Sequence, residues 1–189
     1  MTPQKEDFVN ATVQRYNAVS AILHWLSAIL MIYMIFWGEG LVKGRLWMIP
    51  PTAPTNPGLH ATLGILILII AVARLGWRLM NPPPMDVPMP AWQATASHVL
   101  HWAFYGLMIV IPLSGMAEWD KSITGKHPEF ANLNLLGLFP IPHYSINWLG
   151  SLHGLMTNAA MFLLFLHVAA ALKHQFIDKD NMLRRMSPH

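Results

Sequence analysis

Long apolar runs, separated by short stretches rich in charge or proline, set the pattern of this chain. No Asp, Glu, Lys or Arg occurs from Tyr16 to Gly38, from Leu46 to Ala73, from Val87 to Ala117, or from Phe130 to Leu172. A membrane-spanning helix needs about 20 mainly apolar residues. The gaps predict spans near residues 18–38, 59–80, 95–117 and 149–173. The fourth gap is long enough for two spans, but Asn132, Asn134, Pro140, Pro142 and His143 break its first half, which reads as a loop. The first apolar run is too long for a cleavable signal peptide, and no small-residue cleavage site follows it. The expected fold is all-α: a single domain over residues 1–189, built as an up-and-down four-helix transmembrane bundle.

Composition agrees with a lipid-facing surface. The 189 residues are 54% apolar and only 11% charged, against roughly 25% charged in soluble domains. Mean hydropathy is +0.39. Orientation follows from Lys and Arg. Lys5, Arg15, Arg74, Arg78, Lys173, Lys179, Arg184 and Arg185 lie on the side of the termini, against Lys43, Arg45, Lys121 and Lys126 on the other. That excess predicts both termini in the cytoplasm. The partner is the lipid bilayer, and no nucleic acid is expected. The cytoplasmic connection 81–94 is stiffened by Pro82, Pro83, Pro84, Pro88 and Pro90. The outward connections 39–58 and 118–148 are longer, and long connections are usually functional or disordered. In the second, Leu135, Leu136, Leu138, Phe139 and Ile141 are apolar enough to lie on the membrane surface.

Two counts point to chemistry. The absence of cysteine excludes disulfides, cysteine-ligated iron–sulfur clusters and thioether-attached haem. The ten histidines outnumber the nine acidic residues. Seven of them fall in or at the spans: His24, His60, His98, His101, His153, His167 and His174. An ionisable group inside a bilayer is costly and marks function by default. For any one of them alone, a neutral imidazole bonded to a neighbouring helix explains as much.

Their depths form a pattern. His60 and His153 open spans two and four on the outer side and should meet at one level. His167 lies 14 residues beyond His153, roughly 21 Å deeper and on the same helix face within about 40°. That is near the level of His24. His174, seven residues on, continues the face. Two levels of facing imidazoles suit two b-type haems, whose iron takes a neutral imidazole from each side. Gly58, Ala61 and Gly64 flank His60, Gly150, Ser151 and Gly154 flank His153, and Ala169, Ala170 and Ala171 follow His167. Such small residues admit a macrocycle, and equally serve close helix packing. His60 and His153 are the embedded pair at the outer level. At the inner level His24, His98, His101, His167 and His174 compete, and by depth His101 can replace His24. The i, i+3 pair His98 and His101 also fits zinc, but no carboxylate lies at ligand spacing and no H-E-x-x-H occurs. His127, His143 and His189 read as solvated.

Several stretches resemble the bacterial cytochrome b561 family of four-span, di-haem membrane proteins. They are Ala21-Ile22-Leu23-His24-Trp25-Leu26, the helix carrying His60, Arg74 and Arg78, Ser97-His98-Val99-Leu100-His101, Ser151-Leu152-His153-Gly154, and the run from His167 to His174. The tail Asp178-Lys179-Asp180-Asn181-Met182-Leu183-Arg184-Arg185-Met186 is especially characteristic, and the likeness covers about residues 14–188. The resemblance implies that His60 and His153 are axial iron ligands of the outer haem, and His24 and His167 of the inner one. It leaves His101 and His174 to line a quinone pocket. An imidazole there can bond a quinone carbonyl and move protons. Arg74, Arg78 and Lys173 are candidates for haem propionates or quinone oxygens, or simply snorkelling anchors. No catalytic side chain beyond these is assigned.

Some members look like superoxide oxidases, and the closest likeness is to that group. The resemblance therefore implies an inner-membrane oxidoreductase that takes electrons from superoxide outside and passes them to ubiquinone. Such a protein benefits from a cationic approach. On the outer side, however, Lys43, Arg45, Lys121 and Lys126 are matched by Glu39, Glu118, Asp120 and Glu129. The outer loops also look longer and richer in proline than the family's compact pattern. An alternative is a haem-bearing anchor subunit linking quinone to a periplasmic dehydrogenase or carrier. A third reading, a non-redox histidine core with a structural or ion-handling role, predicts no haem spectrum.

Overall fold

A computed structural model gives the fold and describes residues 14–43, 56–85, 87–117, 134–135, 139–140 and 147–187. Helices α1 (Ala18–Lys43), α2 (Pro57–Met80), α3 (Ala91–Ala117) and α4 (Asn147–Lys173) form an all-helical bundle. All four are long and apolar enough to cross a membrane. Beyond α4 the chain widens into a π-helical turn, His174–Asp178, and then a 3-10 turn, Met182–Met186. In the region read as a loop, β1 (Asn134–Leu135) pairs antiparallel with β2 (Phe139–Pro140).

Local chemistry explains the helix ends. The Asn17 side chain accepts the Ser20 N–H at 2.8 Å and caps α1. Asn56 caps α2 by accepting the Leu59 N–H at 2.9 Å, with Pro57 in the first turn, where its missing N–H costs nothing. Pro90 leads directly into α3, so that helix starts before residue 95, the expected position. α1 runs to Lys43 rather than ending near residue 38. A charge such as Glu39 marks where an apolar span stops, not where the helix stops.

The helices pack in chain order, α1 on α2, α2 on α3 and α3 on α4, while α4 meets α1 only sparsely. Met31, Ile67, Ala71, Tyr105, Leu107, Met108 and Ala160 form the buried core. Elsewhere the surface is apolar: Ile29, Ile69, Val72, Val99, Phe162 and Phe165 are exposed. That pattern suits lipid rather than water. Arg45, Glu118, Asp120, Lys121, Lys126, His127, Glu129 and His143 lie outside the described residues, as does the Lys43 side chain, so the outer charge balance is not placed.

Candidate functional site

The connectivity puts the start of α2 beside the start of α4, at the end of the bundle away from the described termini. There the His60 and His153 rings face each other, with centroids 6.2 Å apart and planes at 60°. Each ring is held from behind. A carbonyl only accepts, so each Nδ1 carries its proton. His60 Nδ1 donates to Gly38 O at 2.9 Å, and His153 Nδ1 donates to Ile111 O at 2.9 Å. Both rings therefore present an unprotonated Nε2, the tautomer that binds metal, fixed by the hydrogen bond behind it. Ile111 O also accepts from Ser114 Oγ at 2.9 Å. Pro112, inside α3, has no N–H to offer the Met108 carbonyl four residues before it.

The other level is more crowded. His167 on α4 faces His24 on α1 at 6.3 Å and His101 on α3 at 5.8 Å between centroids. Phe104 closes a further side at 5.6 Å. Arg74 reaches in from α2: Nη2 donates to His24 Nδ1 at 2.9 Å, and Nη1 donates to Ser27 Oγ at 3.0 Å. Its guanidinium lies 5.3 Å from the Tyr105 ring centre, a cation–π distance. In this tautomer His24 carries its proton on Nε2. To bind iron through Nε2, His24 must take the other tautomer and Arg74 must release Nδ1.

An imidazole on each side of a first-row metal ion, with metal–nitrogen bonds of about 2 Å and roughly 1 Å more from nitrogen to ring centre, gives centroids about 6 Å apart. Both levels meet that spacing. At half-buried Gly64, four residues after His60, an added Cβ would meet nothing within 4 Å. The donor set and its spacing fit haem with bis-imidazole ligation.

At the end carrying the described termini, Tyr16, Arg78, Pro83, Ser97, His98 and His101 line a cavity of about 230 Å³. Ser97 Oγ is 3.4 Å from His101 Nδ1. A smaller cavity of about 30 Å³ lies between Arg74, Arg78, Tyr105 and Met186, room for about one water. Neither lining includes His174 or Lys173. Instead His174 Nδ1 bonds Asp180 Oδ2 at 2.6 Å and lies 3.2 Å from Asp178 Oδ2. Lys173 pairs with Asp178. The structure thus brings His101 and Arg78 to one cavity and sets His174 and Lys173 in a separate charged turn. Sequence reasoning did not find Gly38, Ile111, Ser27 or Tyr105. Their roles come from contacts across helices, and no spacing along the chain marks them.

Together these features define a class: a four-helix membrane bundle with facing histidines at two levels of its interior. A family model, "Prokaryotic cytochrome b561", matches residues 15–189. "Cytochrome b561 homolog 2" of Escherichia coli (strain K12) is 32% identical over 189 residues, covering 93% of this chain and 92% of the relative. "Probable superoxide oxidase CybB" of Yersinia pestis is 30% identical over 186 residues, covering 93% and 97%. "Cytochrome b562" of Cereibacter sphaeroides is 25% identical over 173 residues, covering 90% and 94%. The chain belongs to the prokaryotic cytochrome b561 family. It is a multi-pass protein of the bacterial inner membrane that transfers electrons, and b-type haem is the cofactor its family implies.

Proposed function

We propose that this chain is a di-haem oxidoreductase that takes electrons from a one-electron donor in the periplasm and passes them to ubiquinone near the cytoplasmic face. Superoxide is the favoured donor. One observation carries the reading: histidines face each other at ligand spacing at two levels, 6.2 and 6.3 Å between centroids. Along α4 these levels are roughly 21 Å apart. His60 and His153 hold the outer haem, and His24 and His167 the inner one. Bound haem supplies one-electron carriers stacked across the bilayer.

The chain's own residues do the rest. Gly38 O and Ile111 O keep the outer imidazoles in the ligating tautomer. Arg74 places positive charge beside the inner pair. The cavity beside His101 takes the quinone headgroup, with His101 bonding a carbonyl oxygen and Arg78 close by. The Lys and Arg excess on the side of the termini supports placing this end in the cytoplasm. The resemblance to a probable superoxide oxidase over nearly the whole chain supports superoxide as donor. Stopped-flow mixing of superoxide with purified protein and ubiquinone tests the reading. Superoxide consumption that never exceeds the dismutation rate would remove that donor.

A second reading is a haem-bearing anchor that relays electrons between quinone and a periplasmic dehydrogenase or carrier. The length of residues 118–148 and the balance of outer charges favour it. Stable co-purification with a second polypeptide supports it against the first.

A further inference from the structure

The tail Asp178–Met186 has no part in the electron path, yet one of its arginines is among the most buried polar residues described. Arg185 is only 5% exposed. Its Nε donates to Gln14 O at 3.2 Å. Its Nη2 donates to Pro84 O at 3.2 Å and to Met85 O at 2.6 Å. Its guanidinium lies 5.8 Å from the Tyr16 ring centre. The tail backbone joins in: Tyr16 N donates to Arg185 O at 3.0 Å, and Trp25 Nε1 donates to Met186 O at 2.7 Å. Met85 N donates to Gln14 Oε1 at 3.2 Å. One guanidinium therefore ties the segment before α1, the proline-rich connection and the tail into a single clasp. Tyr16, Pro83, Pro84 and Met85 of that clasp wall the cavity beside His101.

We propose that Arg185 is a positioning residue for the quinone cavity: it touches no substrate, but holds Tyr16 and the Pro84–Met85 backbone in place as that cavity's wall. This rests on the reading of the His101 cavity as the quinone site. Arginine suits the task because its planar fork offers several donors in fixed directions. Backbone carbonyls are its acceptors, so the clasp does not depend on the side chains of the connection.

The test uses the full-length, haem-loaded protein in nanodiscs. Haem reduced with dithionite and freed of its excess is reoxidised by ubiquinone-1 over a range of concentrations, the half-saturating value and limiting rate being written KM and kcat, and, separately, by ferricyanide, which takes an electron without entering the cavity. For Arg185→Gln, KM for ubiquinone-1 rises about five-fold or more with kcat little changed, the signature of lost binding. The haem spectrum and the ferricyanide rate stay as in the wild type. Arg185→Lys, which keeps the charge but not the fork, restores part of the affinity. Trp25→Phe removes a second tail anchor, the bond to Met186 O, while leaving Arg185 in place, and shifts KM the same way by less. It carries the test if Arg185→Gln fails to assemble. A KM that stays at the wild-type value in Arg185→Gln, or in Trp25→Phe where that variant carries the test, overturns the role of the clasp. A wild-type protein that ferricyanide oxidises and ubiquinone-1 does not would instead overturn the quinone reading.

Discussion

Gly115 on α3 lies against the imidazole of His153 on α4: a Cβ at residue 115 would come within 3.0 Å of Cε1 and 3.1 Å of Nδ1. Gly38 stands in the same relation to His60, but more loosely, with the imagined Cβ 3.4 Å from Cε1 and Nδ1. Each outer imidazole thus has a glycine on a neighbouring helix beside it and a carbonyl from that same helix behind it.

Gly115→Ala should therefore disturb the outer site, and Gly38→Ala should do so far less. Overpacking of a fixed ring costs about 1–3 kcal/mol, and His153 cannot retreat without losing its bond to Ile111 O. In Gly115→Ala the outer haem's low-spin electron paramagnetic resonance signal should shift or fall, with the inner signal unchanged. Equal effects of the two substitutions would mean that ring contact is not what these glycines supply.

Removing a ligand is a sharper cut. On the di-haem reading, His60→Ala and His153→Ala should each yield about one haem per chain against two for the wild type, read by pyridine haemochrome against protein concentration. Apolar neighbours cannot replace an axial imidazole, and neither substitution touches His24 or His167. Loss of both haems from His153→Ala alone would show that the two levels assemble as one unit.

The inner level separates its two candidates by chemistry. His24 and His101 both face His167, at 6.3 and 5.8 Å, so distance alone does not choose between them. His101 opens onto the cavity, and His24 does not line it. His24→Ala should lose the inner haem. His101→Ala should keep both haems and slow reduction of ubiquinone-1 by about ten-fold or more, the usual scale for a proton-transfer group. An inner haem lost from His101→Ala and retained in His24→Ala would reverse the assignment.

How much of this was legible follows from how each feature is encoded. Four charge-free runs are a property of the chain itself, so four helices could be read from it. The depth of His60, His153 and His167 follows from helical rise, so their levels could be read too. The partnership of His153 with Ile111 O and Gly115 is different. It depends on how α3 and α4 sit side by side, which no periodicity along α4 records. His174 shows the same limit in reverse. Helical spacing put it on the face of His167, but the π turn and the left-handed backbone at Lys179 and Asn181 bring Asp180 back onto its ring. A regular helix could not make that contact. Arg185 lay in plain view in a characteristic tail, and its role appears only where three distant segments converge.

The turn after α4 contains a lysine–aspartate ion pair and a histidine–aspartate hydrogen bond of unequal weight, and the difference is testable. Lys173 and Asp178 are 44% and 32% exposed in their side chains. An exposed pair of that kind is worth about 0–1 kcal/mol. His174 and Asp180 are 14% and 19% exposed, with 2.6 Å between Nδ1 and Oδ2. Asp180 Oδ1 also accepts the Met182 N–H at 3.2 Å, which starts the 3-10 turn. A less exposed hydrogen bond to a charged group contributes about 1.5–3 kcal/mol. Asp180→Asn keeps the shape and removes the charge, so it should loosen the tail by about 1 kcal/mol, an estimate on the same scale. Hydrogen exchange of the amides from residue 180 to 186 should quicken several-fold while both haems remain bound. Lys173→Met should leave the same amides nearly as protected as in the wild type. If the two variants exchange alike, the His174–Asp180 contact is not what holds the tail against the bundle.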